Sequence, residues 1–267
     1  MFFKKSKPFR NCCVYRTRNQ IKFQFKRLKM KKISILITII SIAMLGISLS
    51  ACGGEIKTES RTVTGFNSVS ISTFGELQIR QGSIESLTIE APSDYLRYLE
   101  TTVENNSLNI SMRRGFIGAP VRRVIYTLTV KDLNSLSFSG AGAIKILDGL
   151  QSQDFSLNLS GAGSIEIDSL ITNSLTVNFS SAGAIVIAGK VEKQSVNLSG
   201  VGSYEAGDLE SKSAIINLTG AGSATVWASG TLGVTISGVG SVSYYGSPQV
   251  SQNISGLGSV NSKGAHR

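Results

Sequence analysis

Cysteine and histidine are scarce in this chain of 267 residues. The three cysteines, Cys12, Cys13 and Cys52, all lie in the first fifth of the sequence, and the only histidine is His266. Without cysteine after residue 52, the rest of the chain cannot be stabilised by internal disulfides. It also has no Cys–His pair for nucleophilic catalysis. The fold must therefore depend on burial and backbone pairing.

Acidic residues are absent from the first 51 positions, which carry 12 of the 27 Lys and Arg side chains. The remainder of the chain has 15 basic and 17 acidic side chains and is close to neutral. A nucleic-acid-binding protein needs a basic patch on its folded part. The net charge of +10 belongs to the leader, and we predict no nucleic-acid partner.

Long apolar runs are limited to one segment, Ile33 to Leu49, which follows Lys31 and Lys32. This arrangement is typical of a secretory signal. An uncleaved transmembrane helix is the alternative, but 17 residues fall short of the roughly 20 that span a bilayer. We assign the signal peptide to residues 30–51, and residues 1–29 to an extension from a misassigned start codon.

The end of this segment, Leu49-Ser50-Ala51-Cys52, resembles the lipobox of bacterial lipoproteins. The resemblance implies cleavage before Cys52 and acylation of that residue, so that a membrane is the first partner. We predict a lipidated tether over residues 52–61 and an exported protein in the outer membrane, facing either the periplasm or the cell surface.

Helical periodicity is nearly absent after the tether. Only Ser93 to Leu99 could form a helical turn, and the other segments alternate apolar and polar residues, as strands do. From residue 136 one phrase recurs seven times: LSFSGAGAIKI, LNLSGAGSIEI, VNFSSAGAIVI, VNLSGVGSYEA, INLTGAGSATV, VTISGVGSVSY and QNISGLGSVNS.

The second glycines of these phrases are spaced by 21, 20, 19, 20, 18 and 18 residues. A period near 20 with strands and no helix indicates a β-solenoid. We predict an all-β fold, a right-handed single-stranded parallel β-helix with about 20 residues per coil. It spans residues 62–262, with seven SGxG coils in 136–262 and a polar tail at 263–267.

Alignment on the glycines gives columns of equivalent side chains, about 4.8 Å apart along the axis. Columns six and four residues before the glycine and two after it are apolar and should point inward. The column four residues before the glycine consists of Phe138, Leu159, Phe179, Leu198, Leu218, Ile236 and Ile254. The column six residues before it ends at Gln252 in the last coil. Between these two apolar columns, five of seven positions are Asn, whose amides can form a hydrogen-bonded ladder.

The opening Arg61 to Phe66, the strand end Ile79 to Gly82 and the serial Ser-Gly-X-Gly coils resemble the head GIN domain of autotransporter adhesins. The resemblance covers roughly residues 60 to 262. It implies an exported, adhesin-like protein and supplies no catalytic residues.

Catalysis has one candidate pair, because some β-helix proteins cleave polysaccharides with aligned carboxylates. Glu166 and Asp168 lie two residues apart, and Lys145 would lie one coil below Glu166. An exposed ion pair is the alternative interpretation, and no carboxylates align in adjacent coils at one register. We predict that the protein is not an enzyme and has neither cofactor nor metal.

Binding has two candidate patches. Trp227 and Tyr245 share one register in adjacent coils and would form an outward aromatic platform for sugar rings, or else shield the thinning end of the core. Arg113, Arg114, Arg122 and Arg123 bracket a Gly/Pro loop; they could bind phosphate or carboxylate groups, or simply form a solvated loop.

The sequence thus predicts a lipid-anchored, non-catalytic binding module of the bacterial envelope, adhesin-like, that recognises glycans or other envelope components. A structural envelope component without a soluble ligand is the alternative, and a polysaccharide-active enzyme is the third.

Overall fold

The computed structural model describes residues 55–115 and 123–266. The predicted extension, signal peptide and Cys52 lie outside the described residues, as does Arg122. In the described ranges, no helix is both long and apolar enough to cross a membrane. Stacked parallel coils, roughly 20 residues apart, form a solenoid of about six turns. The predicted parallel β-helix is confirmed.

Eleven strands build the stack from residue 135 onward. They are β8 (Ser135–Phe138), β9 (Ala141–Leu147), β10 (Leu150–Gln151), β11 (Asp154–Leu159), β12 (Ala162–Phe179), β13 (Ala182–Leu198), β14 (Val201–Leu218), β15 (Ala221–Ile236), β16 (Val239–Tyr245), β17 (Gln249–Ile254) and β18 (Leu257–Ser262). The four strands β12 to β15 are 16 to 18 residues long and run round most of a coil. Each pairs in parallel with the next, so every coil uses its neighbour as a template.

The register follows the second glycine of each phrase. Gly163 lies opposite Gly183, and Gly183 opposite Gly202. A Cβ on Gly183 would lie 1.8 Å from the carbonyl oxygen of Gly163. The coils approach so closely at this corner that no side chain fits between them, which explains the repeated glycine.

The asparagine ladder is confirmed over four coils. Each side-chain amide donates to the Oδ1 of the preceding Asn at 2.9 Å, from Asn178 to Asn158, Asn197 to Asn178 and Asn217 to Asn197. All three bonds run in the same direction along the axis. The ladder therefore ties neighbouring coils together outside the apolar core.

The inward columns are buried in all but the last coil. Phe138 is 2% exposed and Leu198 is 4% exposed, as expected for core residues. Gln252 and Ile254, predicted to point into the core, are exposed, Ile254 by 38%. Their register continues the inward columns, opposite the buried Val234 and Ile236, and they are exposed because no described residue packs beyond the last coil.

The N-terminal part contributes seven strands and one helical turn: β1 (Ile56–Arg61), β2 (Ser68–Ile71), β3 (Phe74–Gln81), β4 (Ser86–Pro92), α1 (Ser93–Leu96), β5 (Leu99–Glu104), β6 (Ser107–Met112) and β7 (Ile125–Val130). The helical turn predicted from Ser93 is confirmed, although it ends at Leu96.

Chain order and spatial order differ in this part. Strand β2 pairs with β6 on one side and β8 on the other, and β3 pairs likewise with β7 and β9. Strands β6 and β7 therefore form a layer of the stack beneath β2 and β3, although they follow these strands in the sequence. Antiparallel strands then cover this end, with β5 on β6 and β4 on β7.

Residues 56–61 form β1 and pair antiparallel with β4, and so they are not part of the predicted tether. The Arg61 guanidinium donates to the carbonyl oxygens of Leu99 at 2.7 Å and Leu96 at 3.2 Å. These bonds explain the difference, since they fix the end of β1 to the turn that follows α1. The folded unit begins earlier than the alternation of residues suggests.

Candidate functional site

Trp227 and Tyr245 form an aromatic pair on the outer surface, called here the aromatic platform. They lie directly opposite each other in the pairing of β15 with β16, as their common register predicts. The neighbours of Trp227, Val226 and Ala228, are fully buried, so alternation along β15 directs the indole outward. Both rings are half-buried.

His266 fills the aromatic platform. Its imidazole lies parallel to the Trp227 indole, with ring centroids 4.0 Å apart and an interplanar angle of 3°. The same imidazole meets Tyr245 edge to face at 5.3 Å, and its Nε2 lies 3.0 Å from Oδ1 of Asp208. The platform therefore accepts a flat ring with a polar edge, and the chain itself supplies one.

The tail reaches this position by continuing the edge of β18. The amide of Lys263 donates to the Tyr244 carbonyl at 2.8 Å, and the amide of Gly246 donates to the Gly264 carbonyl at 2.9 Å. The Lys263 ammonium lies 5.4 Å from the centre of the Tyr245 ring. Sequence reasoning missed this contact, although the one histidine in a polar tail was an available signal.

A buried chain of hydrogen bonds supports the backbone behind the platform. The Tyr204 hydroxyl donates to Oε1 of Gln194 at 3.0 Å, and the Gln194 amide donates to Oγ of Ser211 at 2.9 Å. Ser211 then donates to the carbonyl oxygen of Trp227 at 2.6 Å. Burial raises the pKa of Tyr204, so its hydroxyl stays protonated as a donor. Trp227 thus projects from a strand whose backbone is anchored in the core.

Two arginines of the second patch are engaged by carboxylates. Arg113 pairs with Glu100 at 2.7 Å, and Arg123 with Glu76 at 3.2 Å. Those partners lie on different strands, β5 and β3. A hydrogen bond from Gln78, together with Arg123, holds the pKa of Glu76 below its usual range.

Arg114 is exposed, and Arg122 lies outside the described residues. An anion that bound at Arg113 or Arg123 would have to compete with a carboxylate of this chain.

One of the two carboxylates tested for catalysis, Glu166, forms a surface ion pair, and the other, Asp168, is exposed. Lys145 and Glu166 lie opposite each other in adjacent coils, with Nζ and Oε2 separated by 3.5 Å and both side chains about half exposed. Such a pair contributes less than about 1 kcal/mol to stability. Across residues 55–115 and 123–266, no group of three His, Cys, Asp or Glu could hold a metal ion.

A cleft of about 480 Å³ lies away from all these residues and is lined by Gln81, Lys131, Asp148, Gln151 and Ser169, among others. The Gln81 amide donates to the carbonyl oxygens of Lys131 and Gln151, each at 3.1 Å. Its Oε1 accepts from the Gln151 backbone amide at 2.9 Å. This side chain closes a gap between loops, so its polar atoms are used for structure.

Comparison with known proteins relates residues 65–248 to a family described as "Putative auto-transporter adhesin, head GIN domain". A solved structure from Bacteroides fragilis, described as a "putative adhesin", is 26% identical with a TM-score of 0.76, covering 78% of this chain and 97% of that one. A "putative lipid binding protein" from Parabacteroides distasonis shares the fold at 21% identity and a TM-score of 0.64, covering 78% of this chain and 97% of its own. No curated protein sequence matches the chain significantly.

Proposed function

The chain belongs to the head GIN domain family, and from this membership we propose that it is an adhesin-like surface protein of the bacterial envelope. The observation that carries the proposal is the family match over residues 65–248. The adhesin description of the Bacteroides fragilis structure supports it. The proposed role is binding and not catalysis.

The proposed attachment is a lipid on Cys52, after cleavage of a signal peptide over residues 30–51. The lipobox Leu49-Ser50-Ala51-Cys52 and the apolar run before it support this. Strand β1 begins at Ile56, so only a few residues would separate the lipid from the folded unit. The proposed location is the outer membrane.

The proposed ligand is a glycan whose sugar ring stacks on the aromatic platform. Aromatic faces pack against the apolar C–H face of a sugar ring, and the parallel stack of His266 on Trp227 supports the view that this surface accepts a ring. Asp208 would then accept a hydrogen bond from a hydroxyl group in place of His266 Nε2. Since the platform lies on paired strands, little conformational entropy would be lost on binding.

His266 competes with such a ligand for the same surface. Few contacts hold the tail, and residues 263–265 are exposed. Displacing the imidazole would cost about 0.5–1.5 kcal/mol for a ring stack. His266→Ala should therefore strengthen glycan binding by about two- to tenfold.

Binding of the full chain to a glycan array tests the proposal. We expect Trp227→Ala to lose binding to the glycans that retain the wild-type protein, with the melting temperature and β-sheet circular dichroism nearly unchanged. Because Trp227 is the only tryptophan, its fluorescence reports on the site directly. We expect the wild-type emission to change as a bound glycan replaces the imidazole.

The matched variant is Tyr244→Phe, which changes a neighbouring half-buried ring outside the platform and should bind as the wild type does. If Trp227→Ala binds like the wild type, the platform is not the ligand site. If it loses binding only together with its fold, the two rings shield the core and do not bind a glycan.

Two observations favour a second role, a structural envelope component without a soluble ligand. His266 already occupies the platform, and carboxylates pair with Arg113 and Arg123. In that case no glycan on the array would bind, and His266→Ala would lower stability without creating binding.

A further inference from the structure

The last coil of the solenoid, formed by β17 and β18 and called here the terminal coil, has one free side. Strand β17 pairs with β15, and β18 pairs with β16. No strand of the described ranges pairs with their outer edges. Two apolar side chains of inward columns are left uncovered there, with Val250 36% and Ile254 38% exposed, although their partners in the preceding coil, Leu232 and Ile236, are buried.

The terminal coil also lacks charge. Residues 249–262 contain no Asp, Glu, Lys or Arg. Soluble proteins usually protect an exposed strand edge with charged side chains, proline or a bulge, because an unprotected edge recruits another strand. An uncharged edge with exposed apolar residues is a surface suited to pairing.

The opposite end of the solenoid has this protection. Its outer strands are β1, which carries Lys57, Glu59 and Arg61, and β5, which carries Glu100 and Glu104. Both strands run antiparallel to the strands they cover. The end formed by β1 and β5 therefore carries charges that disfavour strand pairing, whereas the terminal coil carries none.

We propose that the terminal coil is the interface with a second copy of this chain. In every inner coil both edges of this phrase are paired, there with parallel strands, as between Gly240 and Gly258. Two uncharged edges bring no electrostatic repulsion between identical copies. Pairing would cover Val250 and Ile254 and give the terminal coil the second neighbour that the inner coils have.

The two ends also determine the symmetry. A head-to-tail contact would need the opposite end, where the outer strands β1 and β5 carry charged side chains that disfavour pairing. The remaining contact joins two terminal coils about a two-fold axis, with the strands of the two copies antiparallel. This contact closes on itself and gives a dimer, not a filament.

The mass of the full chain, solubilised in mild detergent and measured by light scattering over a concentration series, tests the proposal. We expect twice the protomer mass for the wild type. Ile254→Lys, which places like charges across the two-fold contact, should raise the Kd of the dimer at least about tenfold. The matched control is Ile56→Lys, which adds the same charge at the covered end, where Ile56 is 52% exposed, and should leave the mass unchanged.

A second variant, Gln252→Lys, guards against misfolding because it replaces an exposed polar residue of the terminal coil. It should dissociate the dimer while the melting temperature of the protomer stays within a few degrees. Protomer mass for the wild type at every concentration would overturn the proposal. So would a dimer that survives both lysine variants, since micelle sharing would then join the copies. A dimer that Ile56→Lys dissociates equally would also overturn it, since the contact would then not be specific to the terminal coil.

Discussion

At the residue scale, the core contains hydroxyl groups that burial keeps protonated. The hydroxyl of Tyr126, at 1% exposure for the whole residue, donates to the Phe74 carbonyl at 3.2 Å. Burial raises the pKa of Tyr126 to about 12, and it also raises the pKa of Tyr204. Each hydroxyl stabilises the fold only as a neutral donor.

These shifts predict a loss of stability at alkaline pH. In the unfolded chain tyrosine ionises near pH 10, so from there to about pH 12 the unfolded state releases a proton that folded Tyr126 retains. The free energy of unfolding is therefore highest below pH 10 and should fall by about 2–3 kcal/mol across this range for Tyr126 alone.

Urea unfolding at a series of pH values from 8 to 12 measures this fall. Tyr126→Phe should lower stability at pH 8, because a hydrogen bond is lost, and should flatten the alkaline decline. The double variant with Tyr204→Phe should flatten it further. An unchanged slope in Tyr126→Phe would show that other groups cause the decline.

At the element scale, the coil is the repeating unit, and its glycine corner determines how closely coils stack. A Cβ on Gly202 would lie 2.0 Å from the carbonyl oxygen of Gly183, a backbone atom that cannot move without separating the two strands. Gly233, in the body of β15, has only one atom near its virtual Cβ, on the Ile215 side chain at 3.9 Å. The two positions thus hold the same residue type but differ in the free space that a Cβ would have.

This difference predicts opposite results for the same substitution. Gly202→Ala should lower the free energy of unfolding by about 3 kcal/mol, because neighbouring coils must separate. Gly233→Ala should be neutral or slightly stabilising, since alanine reduces the entropy of the unfolded chain. Chemical denaturation of both variants measures the difference, and equal losses would mean that the corner is not closely packed.

The sequence predicts the coils well where the phrase repeats closely and poorly where substitutions change its glycine pattern. Residues 69–79, VSISTFGELQI, form another level of the stack, with Gly75 beneath Gly142. Thr73 and Phe74 replace the Gly-Ala of the phrase, so the match on two glycines fails. The placement of β6 and β7 beneath this level depends on long-range pairing, which no local pattern encodes.

The candidate site shows the same limit. The common register of Trp227 and Tyr245 follows from counting residues between glycines. The position of His266 does not, because the tail leaves the repeat and its path is determined by contacts with Tyr244, Gly246 and Asp208. Sequence periodicity predicts which side chains the coils direct outward, but it cannot predict which other segments cover those side chains.

At the scale of the whole molecule, the first described strand, β1, and the proposed interface lie at opposite ends of the solenoid. The folded unit begins with β1 at the covered end, and residues 52–55 span at most about 14 Å. A lipid on Cys52 would hold the covered end at the membrane and direct the terminal coil away from it. A two-fold contact between terminal coils would then place the two lipids at the far ends of the dimer.

This geometry predicts that the anchored protein joins two membranes. Phosphatidylethanolamine–phosphatidylglycerol vesicles carrying the processed, lipidated protein should cluster, because a copy on one vesicle pairs with a copy on another. Light scattering should rise with the surface density of the protein, since many weak contacts act together.

Cys52→Ala tests the anchor, because that chain should neither incorporate radiolabelled lipid nor cluster vesicles. Ile254→Lys tests the interface separately, because it should be lipidated and bind vesicles yet leave them dispersed. If Cys52→Ala is still labelled and processed, another residue carries the anchor. If vesicles bearing Ile254→Lys cluster as the wild type does, the bridging contact lies elsewhere on the solenoid, and the terminal coil has no part in adhesion between membranes.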